Sequence, residues 1–262
     1  MSKWIAFLLF FFTACAPVQF PKFVGQWIDL THEFSEDAIY WPTADSFKKT
    51  AVFEGHTDKG FYYTAYNFSA AEHGGTHLDA PIHFFENRNT VYAIPVELLI
   101  GPGVVVRIAD KVATDRNYQL SVGDVQAWEK EHGTIGDGAI VLIDTGSSKL
   151  WPDRKEYMGT DEQGEEGVRK LKFPGIHPAT AKFLATERKI KAVGLDTPSL
   201  DYGGSTHFET HQILFEKNIP GFENVANLDK LPAKGATIIA LPMKIKGGSG
   251  GPLRIVALLP TQ

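Results

Sequence analysis

A chain of 262 residues with 43% hydrophobic content can bury a sizeable core and fits one enzyme-sized domain. Its net charge of −5, with acids and bases interleaved apart from a small acidic patch at Asp161, Glu162, Glu165 and Glu166, excludes a phosphate-binding surface and so nucleic acid as a partner. The one cysteine, Cys15, excludes disulfides within the chain and thiolate zinc sites.

At the amino terminus Lys3 precedes an apolar run from Trp4 to Phe12, followed by Thr13-Ala14-Cys15-Ala16. That charge, length and small-residue end predict an export signal over residues 1–15, too short to span a bilayer, and leave residues 16–262 as a single domain. Phe12-Thr13-Ala14-Cys15 also resembles an imperfect bacterial lipobox, in which Cys15 would carry a lipid anchor. Simple secretion and anchoring both place the protein outside the cytoplasm, in the periplasm, the medium or on a membrane surface.

Strands are predicted at Trp27 to Leu30 and Tyr62 to Phe68 from their β-branched and aromatic content, with Phe61, Tyr62 and Tyr63 as strand core. The run His73-Gly74-Gly75-Thr76-His77-Leu78-Asp79-Ala80-Pro81-Ile82-His83 follows, with three imidazoles and a carboxylate in eleven residues. Neutral imidazole and carboxylate are ligands for zinc or manganese at neutral pH, and a structural segment seldom gathers so many polar groups that are costly to bury. In extended backbone His77 and Asp79 share a face about 7 Å apart and can chelate one ion, whereas His73 and His83 would stand about 33 Å apart if the run were straight. The chain must therefore bend. Gly74, Gly75 and Pro81, which holds Ala80 out of the helical region, encode the bends beside the ligands.

Further strands are predicted at Gly103 to Ile108, Ala139 to Asp144, Ala192 to Asp196, Thr237 to Pro242 and Arg254 to Leu259, several of them apolar enough to be buried on both faces. Ser121 with Asp124 reaching back predicts a capped helix through Trp128 to Glu131, and His177-Pro178 opens a helix to about Arg188. The polar stretch from Ser147 to Phe173 reads as a long loop or lid. Three ligands leave a metal open to substrate, so further donors are sought beyond the motif, and His211, at the start of a short helix, and Glu223, after a turn, are the candidates. His207-Phe208-Glu209-Thr210-His211 is not the zinc-protease helix motif, because its Glu is displaced by one position. Strands alternating with helices give an α/β or α+β body.

The run His73-x-Gly75-Thr76-His77-x-Asp79-x-Pro81-x-His83-Phe84 resembles the signature of the metal-dependent cyclase family, which includes bacterial kynurenine formamidases and isatin hydrolases. The likeness continues through Gly194 to Asp201, His211, Glu223 and Ala226 to Pro232, covering roughly residues 25–260. It implies an α/β fold of the swivelling β/β/α type, an oligomer, dimer or tetramer, that completes the pocket, and one or two divalent ions, Zn2+ or Mn2+. By position, His73, His77 and Asp79 would hold one ion, Asp79 with His211 and Glu223 a second, and His83 would transfer protons. Trp41 falls where the family has a substrate-contacting Trp, and an aromatic there could stack on an aryl substrate; the residue alone reads equally as core.

The expected reaction is hydrolysis of a carbon–nitrogen amide bond by activated water, with His83 carrying the proton to the departing nitrogen. An aryl formamide such as N-formylkynurenine is the first substrate expected, and a cyclic amide such as isatin the alternative. Export departs from the cytoplasmic formamidases and argues against a tryptophan-pathway metabolite. An exported metal-binding or ligand-carrier protein is the reading of another class, and it would have no use for His83 beyond the ligands.

Overall fold

Residues 24–260 are described by a computed structural model, and the expected export signal with Cys15 lies outside them. The strands are β1 (Gly25–Asp29), β2 (Lys48–His56), β3 (Tyr62–Ser69), β4 (His77–Asp79), β5 (Ile100–Arg107), β6 (Gln119–Leu120), β7 (Ile140–Asp144), β8 (Gly175–Ile176), β9 (Ala192–Leu195), β10 (Gly221–Glu223), β11 (Lys234–Pro242) and β12 (Gly250–Pro260). The helices are α1 (Ala109–Val112), α2 (Val122–His132), α3 (Arg154–Met158), α4 (Gly164–Arg169), α5 (Pro178–Thr186) and α6 (Glu209–Glu216).

Strands β5, β7, β9 and β10 run parallel, and β11 and β12 continue antiparallel beyond β5. β12 is long enough to take two partners on one edge, β4 beside residues 250–252 and β1 beside residues 256–260. Because β4 also pairs with β10, the sheet closes on itself. The fold is mixed α/β with a β-barrel core, as the resemblance implies. No helix among the described residues is long and apolar enough to cross a membrane.

Period-2 geometry explains why the central strands are apolar throughout. Val104, Val106, Val141 and Ile143 face a layer containing Val125 of α2, Leu184 of α5 and Leu214 of α6, while Val105, Ile140 and Leu142 face inward with Leu78, Phe222, Ile238 and Ile255. The Ser121 hydroxyl accepts from Asp124 N at 3.2 Å and Asp124 Oδ2 accepts from Ser121 N at 2.8 Å, the reciprocal cap that the sequence predicts for α2.

Two expectations fail. The stretch from Ser147 to Phe173 is not a loose lid: it carries α3 and α4, and its Tyr157, Met158, Leu171 and Phe173 bury themselves with Ile39 in a third core. Its apolar side chains are spread among charged ones, which hides them from a composition reading. Phe61, Tyr62 and Tyr63 are not strand core either. They are 54%, 56% and 49% exposed, because β2 and β3 form a two-stranded sheet that stands off the barrel.

Candidate metal centre

The motif bends as its composition demands. Gly75 has φ of +57°, a left-handed conformation open to glycine, and a side chain on Gly74 would sit 2.0 Å from the Tyr40 ring. β4 then places His77 and Asp79 on one face, and Ala80 at φ −81° and ψ 147° leads into a single turn at Pro81–His83. The chain thereby folds back on itself. The rings of His73 and His83 stack with centroids 3.8 Å apart.

α6 and β10 bring the remaining donors. His211 sits in the first turns of α6, its Nδ1 held at 2.6 Å by Asp201 Oδ2, so that Nε2 points inward, 3.1 Å from Glu223 Oε1 and 3.3 Å from Asp79 Oδ2. β10 lies beside β4 in register, with Glu223 opposite His77. His77 Nδ1 donates to the Gly75 carbonyl at 3.0 Å, which leaves Nε2 unprotonated in the neutral ring, 3.1 Å from Asp79 Oδ1 and 3.4 Å from Glu223 Oε2. That nitrogen is buried and has no hydrogen-bond partner among the described residues. A lone pair facing two carboxylate oxygens is repelled by them unless a proton or a metal ion lies between, and the group is built to hold one or the other. Donors about 2.0–2.1 Å from a tetrahedral zinc stand roughly 3.3 Å apart, so the spacing fits an ion.

The donor atoms assemble as two groups that share Asp79: His77, Asp79 and Glu223, with His211 against them, and His73, Asp79 and His83. The six expected residues therefore come together. The division differs from the one implied by resemblance, which pairs His73 with His77 and sets His83 apart; here the stacked rings put His83 beside Asp79 and His73.

Electrostatics follow from two carboxylates buried among imidazoles. Burial would lift Asp79, but His73, His211 and His77 hold it well below the usual carboxylate range. Burial and the Asp79 charge raise Glu223. Burial would lower His77, but Asp79 and Glu223 bring it up to about 8, and Asp201, Asp79 and Glu223 likewise overcome burial to raise His211. The cluster demands positive charge, which a divalent cation can meet. His83 is the exception: burial lowers it to about 4, so its ring is neutral in the neutral range.

Above the cluster lies a pocket of about 310 Å³ walled by Ile39, Trp41, Ala44, Ala71, Phe84, Pro198 and Phe208. It is at the small end of ligand pockets. Trp41 lines it as expected, edge-on to Phe173 with centroids 6.3 Å apart. Phe208, in the left-handed region at φ +51°, was not legible from the sequence; it covers the site between Trp41 and Phe84. Asn224 was also missed. It donates to the Gly75 carbonyl at 2.7 Å and accepts from Tyr157 OH at 2.8 Å, bracing the oxygen that holds His77. The adjacency of Asn224 to Glu223 is the one signal that could have pointed to it.

A barrel whose strand ends and loops gather buried imidazoles and carboxylates under an apolar pocket defines a metal-centre protein of the hydrolytic type. The chain belongs to the Cyclase family, which it matches over residues 28–202. It is 34% identical to an isatin hydrolase of Roseibium aggregatum over 197 residues, 72% of each chain. It is 27% identical to a kynurenine formamidase of Bacillus cereus over 236 residues, 88% of this chain and 97% of the other. Isatin hydrolase A from Labrenzia aggregata, solved with benzyl benzoate bound, superposes with a TM-score of 0.81 at 32% identity, covering 90% of this chain and 94% of that one.

Proposed function

We propose that this protein is a metal-dependent hydrolase of small neutral aromatic amides, with cyclic amides of the isatin kind preferred over amino-acid-bearing aryl formamides. The observation that carries the reading is a pocket with a metal-ligating floor, aromatic walls and no Lys or Arg among its described lining residues. N-formylkynurenine brings a carboxylate that such a wall leaves unpaired, at a cost of roughly 1–3 kcal/mol or more. Isatin brings none. The aryl formamide remains a second reading, favoured by the formamidase relative's coverage of almost its whole length, and it would place the enzyme in tryptophan catabolism.

His77, Asp79, Glu223 and His211 would hold one ion, and His73 with the shared Asp79 a second, zinc and manganese both suiting these donors. A divalent ion there supplies carbonyl polarisation and makes water acidic enough to be deprotonated near neutral pH. Trp41 and Phe208 flank the substrate ring and exclude bulk water. His83 takes a proton from the attacking water as the carbon–oxygen bond forms, and returns it to the nitrogen as the carbon–nitrogen bond breaks. His73, His77 and His211 each use one ring nitrogen on an outer partner, whereas the His83 ring has none among the described residues and is free to exchange protons. Turnover of purified enzyme loaded with zinc or manganese on both substrate types tests the choice. Isatin is expected to give a kcat/KM at least about tenfold above N-formylkynurenine, the equivalent of about 1.4 kcal/mol, and the reverse order would overturn the preference.

Export through residues 1–15, with or without a lipid on Cys15, is part of this reading, supported by the charge and apolar run alone. So is a homo-oligomer built through the β2–β3 hairpin, which springs from the pocket rim between Ala44 and Ala71 and exposes Val52, Phe61, Tyr62, Tyr63 and Phe68. Large apolar side chains exposed on both faces of a hairpin that stands off the barrel mark an association site. Placing Glu at both Phe61 and Tyr62 should turn an oligomer into a monomer in light scattering coupled to gel filtration; an unchanged mass would remove the hairpin from the interface.

A further inference from the structure

His73 is oriented unlike the other imidazoles of the cluster. His77 and His211 turn Nδ1 outward, to the Gly75 carbonyl and to Asp201, and present Nε2 to the carboxylates. His73 does the reverse: Nδ1 lies 2.7 Å from Asp79 Oδ1, and Nε2 lies 2.9 Å from the hydroxyl of Ser249, 176 residues away in the chain.

The hydroxyl is itself committed. Ser249 Oγ donates to Glu72 Oε2 at 2.8 Å, and Ser249 N donates to the same oxygen at 2.9 Å. A serine hydroxyl has one proton, so towards His73 its oxygen can only accept, and Nε2 must be the protonated nitrogen. Nδ1 is thereby left to face Asp79 Oδ1 at 2.7 Å, through a proton in the metal-free site and with its lone pair once an ion takes that proton's place. Backbone geometry fixes this relay. The Ser249 carbonyl accepts from Ala80 N at 2.8 Å, the Gly248 carbonyl accepts from Val91 N at 2.9 Å, and Gly250 pairs with Asp79 at the start of β12. The flanking glycines leave the necessary room: a Cβ on Gly248 would stand 2.8 Å from Glu72 Oε1, and one on Gly250 would stand 2.5 Å from His73 Cε1. The sequence Gly247-Gly248-Ser249-Gly250-Gly251, linker-like in composition, is in the structure a fitted collar around Glu72 and His73.

We propose that Ser249, aligned by Glu72, is a positioning residue that selects the His73 tautomer with a proton on Nε2 and so presents Nδ1 to the metal ion beside Asp79. This rests on the metal-centre reading above. A ligating imidazole ordinarily gives its second N–H to a carboxylate or carbonyl, and loss of that partner costs about 10- to 100-fold in metal affinity; here the carboxylate acts through a hydroxyl.

Competition with a chromophoric chelator, on the full-length protein with zinc alone, provides the test. S249A should bind the weaker-held zinc about 10- to 100-fold less tightly, with an unchanged circular dichroism spectrum, and S249T, which keeps the hydroxyl, should restore affinity. Equal affinity in S249A and the wild type would overturn the relay while leaving the metal centre standing; a wild type that takes up no zinc would overturn both. Nitrogen NMR of histidine-labelled, zinc-loaded wild type needs no variant and decides the matter even if S249A does not fold. It should show the His73 proton on Nε2, and a proton on Nδ1 would refute the assignment.

Discussion

Asp79→Ala should leave a folded protein that holds little metal and has lost roughly 10³-fold or more of its kcat/KM. The size follows from the position of the carboxylate. Asp79 is 1% exposed, lies within 3.3 Å of His73, His77 and His211, and belongs to both donor groups. Its removal takes the shared donor from every ion the site can hold and leaves Glu223 as the one carboxylate beside His77 and His211. Carbonyl polarisation and water activation are worth several kcal/mol, and each 1.36 kcal/mol is a factor of ten in rate. Metal content by mass spectrometry and turnover should fall together. Asp79→Asn, which keeps the volume but not the charge, should behave alike; full metal stoichiometry in either variant would contradict the shared role.

His83→Ala should separate what Asp79→Ala joins: metal content stays near that of the wild type, while kcat falls about 10²- to 10⁴-fold, the usual worth of a positioned proton carrier. The ring lines the pocket and stacks on His73, and burial lowers its pKa to about 4, so it is unprotonated across the neutral range before substrate and metal bind. Its place in the donor group with His73 and Asp79 makes the experiment decisive. Parallel loss of metal and activity would make His83 a ligand and move proton transfer elsewhere.

Much of the site is legible in the sequence because its chemistry is local. Eleven residues carry four donors, and the glycines and proline between them specify the bend that stacks His73 on His83. The buried strands are legible for the same reason: β5, β7 and β9 have apolar side chains on both faces, and the Ser121 cap fixes where α2 begins. What hides is long-range or diluted. Glu72 and Ser249 meet across 177 positions, and Tyr157 reaches Asn224 across 67. No local pattern records either pairing. β2, reading Lys-Lys-Thr-Ala-Val-Phe-Glu-Gly-His, has little apolar periodicity because almost nothing of the barrel packs on it, and it was missed. The stretch from Ser147 to Phe173 misled for the opposite reason, since a few large side chains among many charges suffice to build a core against Ile39.

Every step proposed for this site depends on His77 and Asp79 converging on an ion. Anomalous diffraction from crystals grown with zinc or manganese tests it without recourse to activity. A metal peak is expected about 2.0–2.2 Å from both the Asp79 carboxylate and His77 Nε2, with Glu223 or His211 completing the set. A map with no such peak, in which the His77 and Asp79 side chains diverge, would contradict it.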